Sequence, residues 1–170
     1  MNAFTSTAPR SSYAADGADT AYSAPIDPFA ARYGRSLPRE LRAEALDMSW
    51  TEFAATYAPH GPVRLGGWSA GAPCAGRRNF EATFGVGESI HTAAATATGP
   101  VAAMTVMMHT LGLPLEILSF HQFDLGDSHA TFLLCEADGR RQWSMGIAAT
   151  GTESALRAMT AGANRLHASR

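Results

Sequence analysis

The chain repeats one pattern, three strand-like segments followed by a helix-like segment, and this repeat limits the fold more than any other feature. The first copy runs from about residue 63 to 111, and the second from about residue 115 to 167. Apolar residues alternate from Phe80 to Val86, as in a half-buried strand, and a turn follows at Gly87. Residues 59–170 are therefore predicted to form an α+β fold of two pseudo-symmetric βββα units.

Each helix of the repeat begins at a recognisable signal. The sequence TGP at 98–100 predicts the start of one helix, and Gly112 is expected to follow its end. The sequence TGTE at 150–153 supplies a cap and capping-box residues for the last helix. The first helix should bury one face made of Val101, Met104, Met108 and Leu111.

Two segments precede the repeat. Residues 1–27 are rich in Ala, Ser, Thr and Asp without periodicity, which predicts a disordered tail. Residues 28–58 predict a short helical arm, with one helix capped by Ser36 and another capped by Asp47 or Ser49. The residues expected to be buried by the first of these helices are Leu37, Leu41 and Leu46.

Charge and cysteine content restrict the partners. The chain has 13 basic and 15 acidic residues, a net charge of −2, so nothing favours nucleic acid or an anionic membrane. Cys74 and Cys135 form no CxxC pair, which argues against a zinc ribbon or a disulfide framework. With no signal-peptide pattern at the N-terminus, we expect a cytoplasmic protein.

Only 16% of residues are charged, which favours an apolar face buried in an oligomer.

Several longer motifs carry a family resemblance. They are TGPVAA at 98–103, WSMGIA at 143–148 and SALRA at 154–158, preceded in the arm by SLPREL at 36–41 and WTEF at 50–53. Over about residues 33–168 the chain resembles the C-terminal regulatory domain, and part of the helical linker, of α-isopropylmalate synthases. These enzymes commit carbon to leucine biosynthesis.

The resemblance implies a dimer of regulatory domains with leucine bound near the two helix starts. The family's catalytic barrel and its His-x-His metal site have no counterpart in these 170 residues. We therefore expect a stand-alone, non-enzymatic module without cofactor or metal, which binds a branched-chain amino acid, itself, or a full-length synthase in trans. Matched residue by residue, the ligand positions are Gly99, Val101, Ala102, Ile117, Phe120, Asp124, Ile147 and Ala149.

Two of these positions depart from the family pattern. The family usually has Tyr where Phe120 stands and a small residue where Asp124 stands. The Asp124 carboxylate could pair with a ligand ammonium, or its buried charge could disfavour an aliphatic side chain. A ligand-free oligomerisation protein is therefore the alternative, and a truncated gene product stays open.

Two short patterns suggest other chemistry. The sequence GWSAG at 67–71 spells a hydrolase nucleophile elbow with Ser69 as nucleophile, but Gly71 and Pro73 disfavour the helix that this motif needs. A second pattern has side chains of the types that bind zinc, but a polar hairpin turn is the favoured explanation. It consists of His121, Asp124, Asp127 and His129.

Overall fold

The computed structural model describes residues 26–167 as two three-stranded antiparallel sheets, each followed by a helix, behind three short helices. The predicted α+β fold of two βββα units is confirmed. Positions 1–25 of the predicted tail lie outside the described residues. Within the described part of the chain, no helix combines the length and apolarity needed to cross a membrane.

The arm contains α1 (Pro28–Tyr33), α2 (Arg39–Glu44) and α3 (Trp50–Tyr57). The first unit contains β1 (Val63–Ala70), β2 (Arg78–Val86), β3 (Ser89–Ala97) and α4 (Pro100–Thr110). The second unit contains β4 (Glu116–Asp124), β5 (His129–Ala137), β6 (Arg140–Ala148) and α5 (Gly151–His167).

The first sheet is covered on one face only. Strand β2 lies between β1 and β3, and Phe80, Ala82 and Phe84 alternate into the core as predicted. The three methionines of α4, Met104, Met107 and Met108, fill the same cluster. Residues between the buried positions of β2 and β3, such as Glu81 and Thr92, face solvent.

The second sheet is covered on both faces. Leu133 and Cys135 of the central strand β5 belong to the cluster shared with α4 and α5, whereas Ala130 and Phe132 contact the arm. Helix α5 lies close to the sheet because Gly146 has no side chain. A Cβ atom there would stand 2.2 Å from the Ser154 carbonyl oxygen. Helix α5 also contacts β1 and α4, so it joins the two units.

The arm packs against the outer face of the second sheet through aromatic rings. The Phe29 and Phe132 rings meet edge to face at 5.0 Å, and the Phe53 and Tyr57 centroids are 4.9 Å apart. The Arg165 guanidinium of α5 lies 4.9 Å from the Tyr57 ring centroid and donates to the Trp143 carbonyl. Burial raises the pKa of Tyr57 and lowers the pKa of Arg165.

The arm differs in detail from its prediction. Helix α2 begins after Pro38 rather than Ser36, and it ends at Glu44, which leaves Leu46 beyond the helix and 41% exposed. Leu37 and Leu41 are buried as expected, and Ser49 caps α3. Helix α1 was not predicted, because its six residues are too few for periodicity to show. Asp27, which the prediction assigns to the tail, is the N-cap of α1.

Candidate functional site

Strand β4 carries three of the predicted ligand residues on one face because of a register shift between Ile117 and Ser119. Simple alternation would turn Ile117 and Phe120 to opposite faces. With the shift, Ile117 pairs with Cys135 and Phe120 pairs with Leu133. Cys135 and Leu133 both face α5, so Ile117 and Phe120 lie on that face too. Asp124 follows on the same face at the end of the strand. Phe120 is 46% exposed, so this face is open at the sheet edge.

The start of α4 provides donors without a side-chain acceptor. Gly99 is the N-cap in an extended conformation, φ −161° and ψ 169°, and no side chain caps the helix. The first-turn N–H groups of Val101 and Ala102 therefore remain available, and they carry the partial positive charge of a helix start. A Cβ atom at Gly99 would meet nothing within 4 Å, so an anion has space to approach.

The start of α5 is satisfied internally. The Thr150 hydroxyl accepts from the Glu153 N–H at 3.1 Å, which confirms the predicted cap. The Glu153 carboxylate, however, bonds to Arg157 at 2.6 Å instead of completing the box. Ala149 lies exposed just before this helix. The two helix starts of the repeat are therefore chemically different.

A polar network lies beneath the first turn of α5. The Gln122 Nε2 atom donates to the Thr131 hydroxyl at 2.8 Å and to the Gly151 carbonyl at 2.7 Å. Thr131 and Ser154 are fully buried, and their hydroxyls bond at 2.6 Å. The network ties the edge strand β4 to α5.

Sequence reasoning missed Gln122, Thr131 and Ser154. One signal was available for Gln122, which stands between Phe120 and Asp124 at the alternate positions of β4. Thr131 and Ser154 gave no such signal, because burial of a hydroxyl depends on which helix covers the sheet.

Ile147 does not join the other predicted ligand residues. It pairs with Ala130 and packs in the cluster beneath the arm, whereas Val101 and Ile117 border the cluster beneath α4 and α5. The second sheet therefore separates Ile147 from them. A separate cavity of about 600 Å³ lies in the arm beside Arg32, Met48 and Trp50, and none of the predicted ligand residues lines it.

The alternative chemistry has no supporting geometry. Ser69 lies exposed inside β1, and the chain continues into β2 rather than into the helix that a nucleophile elbow requires. The His121 ring bonds to Ser119 at 2.9 Å on the arm side of β4, opposite Asp124. Across residues 26–167, no three His, Cys, Asp or Glu side chains converge closely enough to hold a metal ion.

The fold defines a small α+β module of two βββα units, and part of the chain is similar to a fragment of a synthase. A similar protein is 2-isopropylmalate synthase of Corynebacterium glutamicum, in two strains. Each match is 37% identical over 71 residues, covering 39% of this chain and 12% of the relative. The chain thus matches only a small part of the synthase's length. No family model matches the chain.

Proposed function

We propose that this chain is a regulatory and dimerisation module that binds a branched-chain amino acid and acts on a synthase partner without being an enzyme itself. The observation that carries the proposal is the duplicated βββα fold together with the fragment similarity to 2-isopropylmalate synthase. Regulation in trans needs two sites that share a conformational change, so a catalytic partner is part of the proposal.

The uncapped start of α4 supports the proposal that the ligand is an amino acid. A carboxylate would accept from the free N–H groups of Val101 and Ala102, where the helix dipole favours negative charge. An aliphatic side chain would bury its carbons near Val101 and Ile117, which are partly buried at the edge of the core. Each buried CH₂ group would contribute about 0.8 kcal/mol. Both features suit leucine, isoleucine or valine.

Exposed apolar side chains support assembly. Val106 of α4 and Leu118 and Phe120 of β4 are large apolar residues with substantial exposure. Strand β4 is also an edge of its sheet, so one side of its backbone has no partner strand. Surfaces of this kind are covered when a second copy or a homologous chain binds. The proposed compartment is the cytoplasm, since Cys74 and Cys135 are both unpaired.

A ligand-free oligomer is the second candidate. The charge of Asp124, on the same face of β4 as Phe120, is the observation that favours it, because a carboxylate without a cationic partner opposes burial of an aliphatic ligand. In that case the module would assemble with itself or with a synthase, and no amino acid would change the assembly.

Calorimetric titration of the full chain with leucine, isoleucine and valine separates these candidates. We expect saturable heat with at least one of them. A Gly99→Ala variant should bind more weakly because its Cβ occupies the approach to the helix start, while Gly67→Ala, also in open space, is the matched control. If the folded chain gives no heat at millimolar ligand, amino-acid sensing is excluded. Light scattering and co-purification with a barrel-bearing synthase then test assembly alone.

A further inference from the structure

Gln122 lies between two of the predicted ligand residues on the open face of β4. Phe120, Gln122 and Asp124 occupy alternate positions of the strand, pairing with Leu133, Thr131 and His129 of β5. Alternate side chains of a strand point to the same face, and their Cα atoms are spaced by about 7 Å. The face therefore presents an aromatic ring, an amide and a carboxylate in a row.

The orientation of the Gln122 amide follows from its partners. The Gly151 carbonyl, 2.7 Å from the amide, can only accept, so the atom beside it must be the nitrogen. The Thr131 hydroxyl is 2.6 Å from Ser154, and the Ser154 hydroxyl donates to Gly151 at 2.9 Å. Thr131 thus donates to Ser154 and accepts from Gln122. The amide nitrogen points inward, and within residues 26–167 no donor bonds to its oxygen Oε1.

Asp124 adds a second acceptor. Its Oδ1 atom accepts from the Gly126 N–H at 2.8 Å, which holds the side chain at the turn, and Oδ2 makes no bond to another described residue. These two exposed oxygen atoms can both accept from a ligand group that is only a donor. A primary ammonium, with three N–H groups and a positive charge, meets that requirement.

We propose that Gln122 determines specificity for the amino group of the ligand, with Oε1 accepting from the ammonium and Asp124 supplying the countercharge. Phe120 then contacts the apolar side chain. This inference rests on the proposed function and adds a requirement to it: the ligand must carry a free amine. It also assigns Asp124 the pairing role rather than the repulsive one.

The test compares leucine with isocaproate, the same molecule without its amino group. Gln122→Met preserves side-chain length and removes the acceptor, while the Thr131–Ser154–Gly151 bonds can remain. We expect the wild-type chain to bind leucine at least about tenfold more tightly than isocaproate, and the variant to lose most of that preference. Gln142→Met on β6 is the control and should bind like the wild type.

Each outcome decides a different claim. Unchanged leucine affinity in Gln122→Met, or an equal loss for leucine and isocaproate, overturns the role of Gln122 and leaves the proposed function standing. No binding of leucine, isoleucine, valine or isocaproate by the folded wild-type chain overturns both. Asp124→Asn, which keeps the Oδ1 acceptor for Gly126, should weaken leucine binding without weakening isocaproate binding. Equal affinity for leucine in this variant contradicts the countercharge role.

Discussion

The Asn164 side chain of α5 bonds to both backbone groups of Val63, a residue 101 positions earlier at the start of β1. The Val63 N–H donates to Asn164 Oδ1 at 2.9 Å, and Asn164 Nδ2 donates to the Val63 carbonyl at 2.9 Å. Gly61 leaves space for this pair, since a Cβ atom there would lie 2.4 Å from Oδ1. A single amide thus connects the last helix of the second unit to the first strand of the first.

Asn164→Ala should destabilise the protein by about 3 kcal/mol, because it leaves a buried N–H and a buried carbonyl of Val63 without partners. Urea denaturation measures the change. Asn79→Ala is the matched control: Asn79 is exposed and its side chain bonds only to Thr96 among the described residues, so its loss should cost well under about 1 kcal/mol. Equal effects of the two substitutions would show that the contact between α5 and β1 contributes little.

Gly146→Ala should be among the most damaging single-methyl additions. The new Cβ would stand 2.2 Å from the Ser154 carbonyl oxygen and 2.4 Å from the Ala158 nitrogen, both backbone atoms of α5. We expect a loss of about 3 kcal/mol or more, since α5 must move off the sheet. Thermal unfolding checks this, with Gly67→Ala as the control in open space. A melting temperature within a few degrees of the wild type contradicts the close packing.

The two cysteines should react at very different rates. Cys74 is exposed, whereas Cys135 is buried, and burial raises the pKa of its thiol from 9.0 to about 11. A thiol reagent at pH 8 should modify one cysteine per native chain and both after unfolding in denaturant. Rapid modification of Cys135 in the native state would contradict its burial between β5 and α5.

Alkaline pH should destabilise the fold through Cys135. Because its pKa is higher in the folded state, the unfolded chain loses its proton first, and stability falls as pH rises from about 9 through about 11. This difference in pKa between the unfolded and folded states corresponds to roughly 3 kcal/mol of folding free energy. Tyr57, whose pKa burial also raises, adds a decline above its ordinary value of 10.0. Denaturation at pH 8 and 11 should show a smaller drop for Cys135→Ala than for the wild type, and identical drops would refute the Cys135 contribution.

Local sequence signals were sufficient for most of the elements. The β2–β3 hairpin follows from alternation around Gly87, with φ +60°, and the end of α4 follows from Gly112, with φ +73°. Both are short-range effects that periodicity and glycine reveal. The capping box of α3 is of the same kind, since Ser49 and Glu52 are three residues apart.

The site was less predictable because it depends on strand register and on which distant elements pack against each face of the sheet. The shift in β4 next to Leu118 decides which side chains share a face, and nothing in the composition marks it. Matching to the family resemblance places Ile147 together with Ile117, yet the second sheet has two covered faces and the two residues lie on different ones. Only the packing of α5 and the arm separates them.

The most direct test of the proposed function is a titration of the isotopically labelled chain with leucine, followed through its backbone amide resonances. We expect the resonances of Val101, Ala102, Phe120 and Asp124 to shift together and saturate, while those of the arm stay in place. A well-dispersed spectrum that does not change at millimolar leucine, or one that changes only around Trp50 in the arm, would contradict it.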